Sequence, residues 1–77
     1  MSATQSFYRD RADEARSAAG TADLDNVRDR HLTAAAAWDQ MANRLARTER
    51  MRAATDARKA AEREAAADEL EAAAALG

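Results

Sequence analysis

A chain of 77 residues with 12 Lys and Arg against 14 Asp and Glu has room for one small domain, and its net charge of −2 offers no global pull towards nucleic acid or an anionic membrane. Alanine supplies 24 residues, leaving 12 larger apolar side chains, so any core is thin. The absence of cysteine excludes a disulfide framework and a thiolate metal site, while no proline, two glycines, one valine and no isoleucine argue against strands.

A first helix is predicted over about residues 3–19. Ser2 followed three residues later by Gln5 has the spacing of a capping box, with Thr4 and Ser6 as competing caps. Tyr8, Ala12, Ala15 and Ala19 recur at steps of four, three and four, a seam that is alanine apart from Tyr8. Gly20 then suits the left-handed conformation that commonly closes a helix. Phe7 is about 100° round the helix from Tyr8, so one of the two aromatics is expected to lean out towards another chain or a returning tail.

Residues 20–23 read as the connector, with Thr21, Asp23 and Asp25 as candidate caps and Asp23, Asp25 and Asp29 complementing the dipole of the next helix. So short a link makes the helices antiparallel neighbours. In the second helix, predicted over about 24–75, Leu24, Val27, His31, Ala34, Trp38, Met41, Leu45 and Thr48 alternate at three and four, which is a heptad seam. The expected core or oligomer seam is therefore Tyr8, Leu24, Val27, His31, Trp38, Met41 and Leu45. Tyr8 should lie between Ala34 and Trp38, with the pairing of the two helices ending near residue 42.

Helical signal continues where the pairing stops. From Asn43 to Leu76 there is neither Gly nor Pro, so the second helix is expected to run on as a charged extension from about residue 44, with a break near Thr48 or Thr55 as the competing reading. Along it the apolar stripe slips to Met51 and Ala54, and later to Ala66, Leu70 and Ala73. Charge is segregated: Arg44–Arg63 has seven basic and three acidic residues, net +4, whereas Glu64–Gly77 has four acids and no base, net −4. Antiparallel pairing of two such tails sets basic half against acidic half and favours a symmetric dimer.

Candidate chemistry is sparse. His31 is the one residue to nominate for catalysis or metal binding, but its helical neighbours Val27, Arg28, Ala34 and Ala35 are not metal ligands, so it reads as a packed seam residue. Asp10, Asp13 and Glu14, or Asp23, Asp25 and Asp29, imitate a carboxylate site, yet Asp23–Arg30 lacks the glycine and terminal glutamate of a calcium loop. No phosphate loop, nucleophile motif or metal-spaced His pair occurs. The apolar run Ala34–Trp38 is far too short to span a bilayer, and the polar start lacks a signal core, which makes the cytoplasm the default location. Arg44, Arg47, Arg50, Arg52, Arg58 and Lys59 raise the nucleic-acid question, but acids interrupt them, no aromatic interleaves and they spread around the helix.

The run NVRDRHL at Asn26–Leu32, followed by AAAAW at Ala34–Trp38 and MANR at Met41–Arg44, resembles a group of small Ala- and Arg-rich bacterial proteins, mostly alphaproteobacterial. In these a Tyr-bearing helix, a short connector and a Trp-bearing helix recur. The resemblance covers about residues 7–50 and implies no activity and no site. The helix pair also resembles one tetratricopeptide unit, without the full signature.

Together these readings predict an all-α, coiled-coil-like antiparallel hairpin with a long C-terminal helical extension, assembling into a helical bundle. The expected function is protein–protein interaction, as a small adaptor or regulator that forms a homo-oligomer, dimer or tetramer, or engages another protein. No enzyme activity, cofactor, metal or membrane association is expected. The alternative is a nucleic-acid-associated regulator acting through the basic segment 44–63.

Overall fold

The computed structural model describes residues 2–77 and consists of two helices, α1 (Ala3–Thr21) and α2 (Asp25–Leu76), joined by Ala22–Leu24. It is an antiparallel helical hairpin with a long C-terminal extension, measuring 80 × 16 × 11 Å. The length is that of α2 itself, since 52 residues at about 1.5 Å each make about 78 Å.

The start of α1 follows from Ser2, whose Oγ accepts a bond from the Gln5 amide at 3.1 Å. Its end differs from expectation. Gly20 lies within the helix, and among the described residues no glycine has a positive φ. Instead the chain leaves through Ala22 in extended conformation, with the Ala22 N–H donating to the Ala19 carbonyl at 3.3 Å and the Thr21 hydroxyl donating to the Ala18 carbonyl at 3.2 Å. With its hydroxyl turned back onto α1, Thr21 does not cap α2. That position falls to Leu24, whose side chain makes no capping bond, while Asp25 sits in the first turn of α2 and pairs with Arg28.

α2 then runs unbroken to Leu76. The Thr48 hydroxyl donates to the Arg44 carbonyl at 3.1 Å, a bond back along the same helix that leaves it unable to start a new one. The pairing with α1 also extends further than residue 42: Arg9 reaches Asn43, and Gln5 lies beside Ala46, Glu49, Arg50 and Ala53. Beyond Thr55 every residue of α2 is exposed, a stretch of about 32 Å.

The core is built from alanine. Ala12 and Ala19 of α1 and Ala35 and Ala42 of α2 are buried, joined by Gln5, and among the described residues no large side chain is fully enclosed. Small residues at closest approach let the helix axes come near the lower end of the roughly 8–10 Å packing range. Here the expected seam needs correction. Leu24 is 63% exposed and Met41 37%, so neither belongs to the hairpin core. A three-four alternation through His31, Trp38 and Leu45 accommodates either Ala34 and Met41 or Ala35 and Ala42. Packing selects the second pair, which brings the backbones together and moves Trp38 to the edge of the seam. Val27, His31, Ala34, Trp38 and Leu45 remain half-buried, as does Tyr8.

Candidate interaction surfaces

Turning α2 by this fraction of a step gives the hairpin two unlike flanks. On one, Trp38 stands 5.9 Å from the Tyr8 ring, tilted by 31°, and meets Phe7 edge-on at 6.0 Å and 88°. Phe7 and Tyr8 are themselves 5.9 Å apart, and the Arg11 guanidinium lies 5.3 Å over the Phe7 ring. These are favourable geometries for aromatic and cation–π contacts. Phe7 is the aromatic that leans out, but its neighbour is Trp38 of the same chain, and the tail does not return to it. Below the aromatics a shallow groove of about 270 Å³ is lined by Thr4, Tyr8, Met41, Arg44, Leu45 and Thr48.

The other flank is polar. Arg9 donates to Asp39 at 3.2 Å and to Asn43 at 2.7 Å, while Arg16 donates to the second Asp39 oxygen at 2.7 Å and to Asp13 at 2.5 Å. One carboxylate of α2 is thus held by two guanidinium groups seven residues, or about two turns, apart on α1. Hydrogen bonding from Arg16, with a smaller contribution from Arg9, holds the Asp39 carboxyl below its ordinary range against the opposing effect of partial desolvation. This cluster was not foreseen from the sequence. Its signal is the Arg-to-Arg heptad on α1 paired with a lone acid beside Trp38.

The residues nominated for chemistry do not converge. His31 is half-buried on the inward side of α2, and among the described residues no group of three His, Cys, Asp or Glu stands where it could hold a metal. Asp13 and Glu14 are engaged by Arg16 and Arg11, and Asp25 by Arg28, each three residues away on its own helix. Arg44, Arg47, Arg50, Arg52, Arg58 and Lys59 are all exposed, and at about 100° per residue they are spread over about 200° of the circumference of α2. Arg44 borders the aromatic groove, Arg50 lies beside Gln5 and Ala53, and Arg58 approaches Glu62 at 3.7 Å.

The third surface is the bare end of α2. Met51, Leu70 and Leu76 are among its exposed apolar side chains, set in a helix where alanine is the commonest residue. Among the described residues no helix is long and apolar enough to cross a membrane. Comparison with protein-family models, with curated proteins and with solved structures gives no match to this chain.

Proposed function

We propose that this chain is a self-associating helical module whose work is protein–protein interaction, as a small adaptor or regulator in the cytoplasm. The observation that supports this is the part of α2 beyond Thr55. In proteins most helical stability comes from tertiary packing of a helix face, and α1 supplies none of it beyond Thr55. Twenty or so residues projecting past the reach of α1, with Leu70 and Leu76 bare, gain that packing from another chain.

Light scattering on a sizing column at two protein concentrations, with far-ultraviolet circular dichroism on the same samples, tests the proposal. A dimeric or tetrameric mass with high helicity is expected. A mass of 8.3 kDa at both concentrations would overturn self-association and move the search to a different protein partner. We rank nucleic-acid binding second, because the basic side chains form no single stripe along which phosphates could lie.

A further inference from the structure

The exposed part of α2 carries a pattern that is complementary to itself when reversed. Met51, Ala54, Arg58, Ala61, Ala65, Glu69, Ala72 and Leu76 are spaced by three, four, three, four, four, three and four. These seven steps cover 25 residues, which keeps the stripe on one side of a straight helix of about 3.6 residues per turn. The stripe faces away from α1, since Met51 stands two residues, about 200° of rotation, from the half-buried Glu49. Met51 is 70% exposed and Leu76 91%, so both ends of the stripe are bare.

Reading the stripe backwards against itself pairs Met51 with Leu76, Ala54 with Ala72, Arg58 with Glu69 and Ala61 with Ala65. Large apolar side chains meet at the two ends, alanines meet at the middle, and the one base in the stripe meets the one acid. The pairing is consistent throughout, because each pair of residue numbers adds to 126 or 127. A two-fold axis between residues 63 and 64 generates it, at the boundary where the +4 segment gives way to the −4 segment.

We infer that a second copy of this chain packs antiparallel on the Met51–Leu76 face, about a two-fold axis at residues 63 and 64, with Arg58 of each copy against Glu69 of the other. This rests on the self-association proposed above and adds its surface, direction and register. One feature selects this face and another its direction. The continuation of the side that α1 covers, through Ala53, Ala57, Ala60, Ala67 and Ala74, places Asp56 opposite Glu71 in the same reversed register, two like charges. A parallel arrangement on the inferred face sets Arg58 beside Arg58 and Glu69 beside Glu69. Central alanines allow the close axial approach that brings this Arg–Glu pair within bonding reach.

Two single charge reversals test the register. Arg58→Glu and Glu69→Arg each place like charges at both crossings of a symmetric dimer and are expected to weaken self-association by at least about tenfold. Mixed in equal amounts, the two variants restore an Arg–Glu contact at both crossings, so the mixture is expected to return to dimeric mass. Nitroxide labels on Ala66→Cys and Ala73→Cys test direction. Separation along the axis is expected to be about 8 Å at position 66 and about 28 Å at position 73, whereas a parallel pair gives both positions the same distance. A wild-type dimer whose mass survives either reversal, a mixture that stays monomeric, or equal label distances would overturn this inference and leave self-association standing. A wild-type monomer would remove both. Because both positions are solvent-exposed in the hairpin, circular dichroism of the variants is expected to match wild type at concentrations where all are monomeric.

Discussion

Asp39 receives guanidinium groups from two positions about two turns apart on α1, and those bonds exist only while the helices are paired. Its carboxyl is held below the value near 3.9 that an unfolded aspartate shows, so its stabilising contribution is fully present above that pH and is lost as the pH falls through the lower folded value. The difference in denaturant midpoint between wild type and Asp39→Asn is therefore expected to be constant near neutrality and to shrink as solutions are taken below about pH 4. Two residues at the connector act through the backbone. Gly20 has a helical conformation, and a Cβ added there meets no atom within 4 Å, so Gly20→Ala is expected to stabilise the hairpin by about 0.5 kcal/mol through reduced freedom of the unfolded chain. Leu24 occupies the N-cap of α2 with a side chain that cannot accept a bond. Leu24→Asn is expected to raise stability by about 1 kcal/mol, and urea denaturation measures both changes.

At the scale of the helices, stability is divided between a narrow alanine contact and the aromatic flank that closes one side of it. Removing the indole in Trp38→Ala deletes the shared neighbour of Phe7 and Tyr8. Because Trp38 is half-exposed, the expected loss is about 2 kcal/mol, below the range for fully buried aromatics, and is measurable by circular dichroism during denaturation. How much of this was legible beforehand depends on how far each signal is local. The Ser2 and Gln5 spacing placed the start of α1, and the absence of Gly and Pro from Asn43 to Leu76 carried α2 to its end, because both are properties of the backbone near the residues concerned. The α1 seam was legible because a single four-three-four reading exists. The α2 seam was not, because Ala34 and Ala35, or Met41 and Ala42, satisfy the same alternation and only the approach of α1 separates them. Gly20 misled for a related reason: its freedom permits a left-handed turn but does not demand one, and the Thr21 hydroxyl and Ala22 amide close the helix without it.

For the whole molecule, the consequence of two helices of such unequal length is a narrow body, with a paired section followed by an unpaired one of about 32 Å. All-α architecture followed from composition alone, whereas the surfaces that distinguish the molecule arise from juxtaposition: Arg9 and Arg16 around Asp39, Phe7 and Tyr8 against Trp38. A body 80 Å long and 16 Å across also has a frictional drag well above that of a sphere of the same 8.3 kDa mass. It will tumble slowly about its short axes and diffuse as a heavier particle would. On a column calibrated with compact standards even a single chain will therefore emerge early, in the position of a globular dimer, and only a measurement that reads mass independently of shape will tell one extended chain from two.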